Sequence, residues 1–230
     1  MKDFLQNVFR FLLCFPADVL YRVFYRSRCI GFENIPKSGG VIIASNHVSN
    51  METILIPYMC IERFSSRRFW SPGKVELFRF APLRRLLFMC RSFPIKRKRD
   101  YAAMNKISKL ASSDVVMLFP EGTRSKDGRL QKGRPGVGKI IYDSKAAVIP
   151  TAVFNTQYCM PAHAWSPNIL LPLAVVFGKP LDLRRCFGMP AGREAYEAIV
   201  NELMNAIADI QKEYAHLDSP PKRLLKGNSK

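Results

Sequence analysis

The chain has 230 residues, 48% of them hydrophobic and 11% aromatic, and its 36 lysines and arginines against 18 acids give a formal net charge of +18. That length suffices for one domain with a full core, and the apolar content excludes a disordered basic tail. The cationic excess requires an anionic partner, either nucleic acid or a membrane carrying acidic lipids.

The first 28 residues are rich in Phe, Leu, Val and Tyr but are interrupted by Arg10, Pro16, Asp18 and Arg22. A spanning helix needs about 20 nearly uninterrupted apolar residues, so residues 1–28 are expected to form an interfacial helix, or a helix pair kinked near Pro16, lying on a membrane. No small-residue cleavage site follows, which argues against a secretory signal. From residue 29 to 217 the elements alternate. Strands are expected at 41–44, 69–71, 93–95, 115–119, 148–154 and 173–177. Helices are expected at 52–61, 76–89 (its start disturbed by Pro82), 101–110, 136–142 and 193–214, the last with apolar positions at Tyr196, Ile199, Val200, Leu203, Ile207 and Ile210. This alternation predicts a single α/β domain with a mixed, largely parallel sheet flanked by helices. The Pro- and Lys-rich stretch 218–230 is expected to be a disordered basic tail. The six cysteines (Cys14, Cys29, Cys60, Cys90, Cys159 and Cys186) include no C-x-x-C pair, so no metal is expected, and several lie in apolar context as reduced core residues of a cytosolic compartment.

Two clusters carry chemistry. His47-Val48-Ser49-Asn50-Met51-Glu52 follows the strand at 41–44 and sets an imidazole and a carboxylate five positions apart. Phe119-Pro120-Glu121-Gly122-Thr123-Arg124-Ser125 follows the strand at 115–118 and offers a guanidinium beside glycine-loosened amides. Ligands of open α/β sheets bind beyond the carboxyl ends of strands, where both clusters fall. A base beside an anion cradle suits acyl transfer to a hydroxyl near a phosphate. Five positions on an ideal helix rotate about 140°, so His47 belongs to the turn before the helix that Glu52 opens. Ser49 and Glu52 also fit a capping box, in which Glu52 would fold back on the main chain. His163 and His216 have no acid at a useful spacing. The run Gly133-Arg134-Pro135-Gly136-Val137-Gly138-Lys139 imitates a phosphate-binding loop, but Ile140 stands where Ser or Thr is needed and Pro135 removes an amide; it is expected to be a turn feeding a helix.

Taken together these residues resemble the glycerolipid acyltransferase family, which includes bacterial 1-acylglycerol-3-phosphate acyltransferases. The family's first motif, a His and an acid separated by four residues, is matched by His47 and Glu52, and its third by Phe119 to Ser125. Phe93-Pro94-Ile95-Lys96-Arg97 matches its second loosely, and Val148-Ile149-Pro150-Thr151-Ala152-Val153 its fourth. Many members have Asp at the place of Glu52 and a small residue at the place of Arg91. The resemblance implies that His47 is the general base, that Glu52 orients it, and that Arg124, with Arg97 and Lys96, holds the acceptor's phosphate. Gly122 and Thr123 would assist with their amides, and Glu121 would orient the cations.

The implied enzyme is a membrane-associated O-acyltransferase that needs no cofactor. It moves a fatty acyl group from acyl-CoA or acyl-carrier protein to a lysophospholipid, foremost 1-acyl-sn-glycerol-3-phosphate, giving phosphatidic acid. The same chemistry on another lysophospholipid, a lyso-ornithine lipid or a glycolipid is the alternative. Anionic membrane lipids are the expected partners, at the cytoplasmic face of a membrane in a peripheral or monotopic arrangement. Nucleic-acid binding is disfavoured, because the aromatics gather at the amino end with Leu and Val instead of interleaving with basic residues.

Overall fold

The computed structural model describes residues 19–60, 68–96, 100–161, 164, 166–167 and 170–221. Most of the expected amino-terminal interfacial segment, and the tail beyond 221, lie outside them. Seven strands form one sheet: β1 (Arg28–Ile30), β2 (Val41–Ser45), β3 (Phe69–Lys74), β4 (Ser92–Ile95), β5 (Val115–Leu118), β6 (Ala147–Phe154) and β7 (Ala174–Phe177), in the order β1-β7-β6-β2-β5-β3-β4. All neighbouring pairs are parallel except β6 with β7.

β2 and β5 are buried at every position, as the unbroken runs Val41-Ile42-Ile43-Ala44 and Val115-Val116-Met117-Leu118 require of central strands covered on both faces. Alternate side chains enter different cores. Ile42, Ala44, Val116 and Leu118 face α3 (Tyr101–Ala111), α4 (Pro135–Ser144) and, beyond the single-turn helices α5 (Thr156–Cys159) and α6 (Arg184–Phe187), α7 (Arg193–Glu213), through Ile107, Ile141 and Leu203. Val41, Ile43, Val115 and Met117 face α1 (Glu52–Cys60) through Leu55 and Ile56, together with Tyr21 and Tyr25 of the amino-terminal turn. Cys60, Cys159 and Cys186 are buried, whereas Cys29 and Cys90 are exposed.

The prolines define local departures from simple periodicity. The helix expected from residue 76 splits into a tight turn at Val75–Phe78 and α2 (Ala81–Met89), with Pro82 in the first turn of α2, where its missing N–H leaves no bond unmade. β3 runs on through Pro72 and Gly73 because β5 pairs only with Phe69 and Trp70, so the later residues serve the marginal strand β4 alone. Pro150 in β6 turns its carbonyl to the amide of Gly178, 2.8 Å away, just past the last residue paired with β7; its missing donor falls on that same side. Arg91, between α2 and β4, has a left-handed backbone (φ 55), a conformation that favours glycine.

The apparent phosphate loop has a packing role. α4 begins at Pro135, and an added Cβ at Gly138 would collide with the Tyr196 carbonyl of α7, while one at Gly133 would strike Val200. These glycines let α4 and α7 approach closely. At the carboxyl end, the amide of Ser219 donates to Asn155 at 2.8 Å, and Asp218 accepts from Tyr158 and Gln157, so the first residues assigned to the tail are tied to the turn after β6.

Candidate active site

Parallel strands deliver their carboxyl ends to one edge of the sheet. Ala44 of β2 is in register with Leu118 of β5, so the segments leaving the two strands emerge side by side. Asn46 ends β2 by accepting the Val153 amide of β6 at 2.9 Å, and His47 follows in the turn before α1. The Ser125 amide donates to the His47 carbonyl at 2.7 Å, which binds the 119–125 turn to the histidine's main chain. The two clusters therefore converge.

His47 Nδ1 lies 2.8 Å from Oε2 of Glu52. The other carboxylate oxygen accepts the Thr156 hydroxyl at 2.7 Å. Glu52 and Thr156 are fully buried, while the His47 side chain keeps 15% of its surface exposed. A buried carboxylate is tolerable only with its oxygens bonded, and both are. This arrangement also decides between the two roles open to Glu52: its oxygens serve the imidazole and a threonine, and the capping box is not made. Ser49 instead accepts the nearby Met51 amide and donates to the distant Met160 carbonyl. The imidazole stacks on Phe119 with ring centroids 3.9 Å apart and planes 13° from parallel. With Nδ1 and one face engaged, Nε2 is the nitrogen left for a reacting group.

Glu121, expected to orient cations beside a phosphate, spends both carboxylate oxygens on main-chain amides. It is buried, Oε1 accepts the His47 amide at 2.8 Å, and Oε2 accepts the Gln131 amide at 3.1 Å. Burial pushes its carboxyl above the ordinary range, against the lowering effect of those two amides. The guanidinium near it belongs to Arg134, whose Nε donates to the Glu121 carbonyl at 3.3 Å and whose main-chain amide donates to Pro120. Glu121 thus fixes main chain.

The described cationic candidates, Lys96 and Arg124, follow strands that end at the same edge. Gly122 is exposed with φ 70, and Thr123 and Arg124 are half-buried directly before the Ser125 amide that meets His47. Lys96 is exposed at the end of β4, two strand positions or about 10 Å from β5, and its amide donates to Asp100, the N-cap of α3. Arg97 lies outside the described residues. Three groups that shape the site escaped the sequence: Thr156, Phe119 as a stacking partner, and Arg134. Thr156 stands 104 positions from Glu52, and no local pattern links them. Among the described residues no cluster of three or more His, Cys, Asp or Glu could hold a metal, and no helix is long and apolar enough to cross a membrane.

A mostly parallel α/β sheet with a half-buried His on a buried carboxylate and a Phe-Pro-Glu-Gly-Thr-Arg turn at one edge defines a recognisable class of domain. The model of the family described as Acyltransferase matches residues 26–154, and the chain belongs to that family. It is 30% identical over 149 residues to a chloroplastic 1-acyl-sn-glycerol-3-phosphate acyltransferase of Arabidopsis thaliana, an alignment covering 63% of this chain and 40% of the relative. It is 27% identical over 131 residues to the 1-acyl-sn-glycerol-3-phosphate acyltransferase of Borreliella burgdorferi, covering 55% of this chain and 50% of that one. The chain thus spans half or less of the length of these relatives. The crystal structure of the 1-acyl-sn-glycerophosphate (LPA) acyltransferase, PlsC, of Thermotoga maritima shares the fold with a TM-score of 0.60 at 19% identity, over 80% of this chain and 72% of that one.

Proposed function

We propose that the protein transfers a fatty acyl group from a thioester, acyl-CoA or acyl-carrier protein, to the free hydroxyl of a lysophospholipid, with 1-acyl-sn-glycerol-3-phosphate the first candidate. The relatives' names support that acceptor. The observation that carries the reading is the 2.8 Å contact between His47 Nδ1 and a fully buried Glu52. A carboxylate there holds the proton on Nδ1 and leaves Nε2 with a lone pair.

In this mechanism Nε2 takes the proton of the acceptor hydroxyl as its oxygen attacks the thioester carbonyl. The C–O bond forms, the tetrahedral intermediate collapses, and the C–S bond breaks. The departing thiolate recovers the proton from the imidazolium, whose charge Glu52 has offset meanwhile. General-base assistance of this kind contributes about 10²–10⁴-fold. Arg124, in the same turn as the Gly122 and Thr123 amides, is the candidate for an acceptor phosphate placed over that turn, and guanidinium suits phosphate by pairing two oxygens. Lys96 extends the cationic edge, and Arg97, next to it in sequence, is the remaining candidate. Every step is carried by side chains and the two substrates, so no cofactor is invoked. A lipid acceptor places the enzyme at a membrane surface, which the +18 charge supports through anionic lipids. The cytoplasmic face is the side on which either thioester is available.

The test is acyl transfer by the purified protein from each thioester to a panel of lysophospholipids, with lyso-ornithine lipid and a glycolipid included. Product from 1-acyl-sn-glycerol-3-phosphate that disappears in His47→Ala and falls at least tenfold in Glu52→Gln is expected. Wild-type turnover by His47→Ala would overturn the mechanism, and product only from another acceptor would overturn the substrate.

A further inference from the structure

The connection from β3 to β4 leaves several large apolar side chains substantially exposed. Phe80 is 66% exposed, Phe88 52% and Leu77 38%. On α2 the half-buried Leu83 and Leu87 share the inward face, one turn apart, while Phe88 rests one side on the buried Phe78 (ring centroids 5.3 Å) and keeps the other in solvent near Arg84 and Arg85, four and three positions back. Arg79, Arg84 and Arg85 are all exposed. Lone exposed apolar residues are ordinary, but three large ones within twelve positions, interleaved with arginines, mark a contact surface.

Topology says what this surface faces. β3 is parallel to β5, with Trp70 opposite Val116, so the segment leaving β3 at Lys74 starts at the edge where the His47 and 119–125 turns emerge. β7 is antiparallel to β6 and β1 is parallel to β7, so β1 begins at that same edge. The groove there is lined by Val23, Phe24, Arg26 and Leu170, of which Val23 and Phe24 are 63% and 55% exposed. β1 and β4 are the two margins of the sheet. Apolar residues with arginine neighbours therefore flank the site on both sides, separated by six strand spacings, or about 29 Å.

We propose that the surface of Leu77, Phe80 and Phe88, with Arg79, Arg84 and Arg85, docks on an anionic lipid bilayer as a second contact, at the margin opposite the amino-terminal segment. Aromatic and aliphatic side chains enter the acyl boundary while guanidinium groups pair with headgroup phosphates. Charge complementarity favours lipid: between Lys74 and Arg91 the acidic residue is Glu76 alone, against five basic residues. Two contacts at opposite margins set the carboxyl edge of the sheet against the bilayer, so a lipid hydroxyl reaches Nε2 without leaving the interface.

The test measures binding of the full chain, without substrates, to phosphatidylcholine vesicles with and without one-third phosphatidylglycerol. Phe80→Ser with Phe88→Ser is expected to weaken partitioning to the anionic vesicles about tenfold or more. Arg84→Glu with Arg85→Glu is expected to weaken it on anionic vesicles and leave neutral ones unchanged. Hydrogen exchange of the wild-type segment 77–91 is expected to slow when anionic vesicles are added, a readout that does not depend on how the variants fold. Unchanged exchange in that segment overturns the proposal. So does protection that appears with an acidic acyl-carrier protein and not with vesicles, which would make the surface a protein dock. Turnover is not read, so failure here leaves the acyl-transfer mechanism standing, and failure of that mechanism leaves this surface testable.

Discussion

The carboxylate of Glu121 accepts the main-chain amide of His47 at 2.8 Å, so the acid of one sheet-edge turn holds the backbone of the other. Its second oxygen does the same for Gln131. Glu121→Ala leaves both amides without this acceptor, at a cost of about 1–3 kcal/mol each where they stay dry. Urea unfolding should show that loss of stability, and turnover should fall at saturating substrate because the imidazole loses its seat. Glu121→Gln should recover stability only partly, since its amide group presents a donor to one of the two N–H groups.

Thr156 is expected to act through Glu52. Thr156→Val keeps the shape but leaves Oε1 of a buried carboxylate without its donor. A loss of about 1–3 kcal/mol is expected in denaturant titrations. The kinetic signature should be a lower kcat with KM little changed, together with a displaced pH–rate profile that Thr156→Ser restores. A purely structural role would lower stability and leave the profile in place.

The α3 cap gives a pH prediction. Asp100 accepts the Ala103 and Lys96 amides, and these bonds, Ala103 first, hold its carboxyl below the ordinary value. A lowered folded-state value means that the contribution to stability is present above the unfolded carboxylate range and is lost as the pH falls through the folded value. Asp100→Ala should therefore melt below wild type at neutral pH, with the gap closing as the medium is acidified below the ordinary aspartate range. Thermal melts across that range check the sign, and a gap that widens on acidification would contradict it.

Gly138→Ala sets a methyl group against the Tyr196 carbonyl, a main-chain atom that cannot rotate away. Overpacking typically costs about 1–3 kcal/mol, and a backbone obstacle places this case at the upper end. The expected result is a sharply lowered melting temperature with KM for both substrates unchanged in the surviving folded enzyme. If Gly133-to-Lys139 were instead a nucleotide site, ATP would raise the melting temperature of the wild type.

Much of the sheet was legible because strands covered on both faces are short unbroken apolar runs: β2, β5, β6 and β7 all announce themselves. β1 does not, since Arg28–Ile30 is three residues with only its last side chain half-buried. β3 was cut short by Pro72 and Gly73, whose tolerance depends on β5 having already diverged. In the site, His47 and Glu52 stood out because a turn lies between a buried strand and a helix. The resemblance makes Glu121 an orienter of cations because it shares its turn with Arg124. Its neighbours in space are main-chain amides, which carry no signature in residue identity. Thr156 was invisible for a related reason: register between distant strands creates its contact.

The stacking of His47 on Phe119 has a stereochemical consequence. An imidazole with one nitrogen tied and a phenyl ring over one face presents unlike surroundings above and below its plane. A glycerol backbone delivering its oxygen in that plane must place its remaining substituents on unequal sides. The pair is thereby a handed reagent, and the two enantiomers of an acceptor will meet it as different molecules.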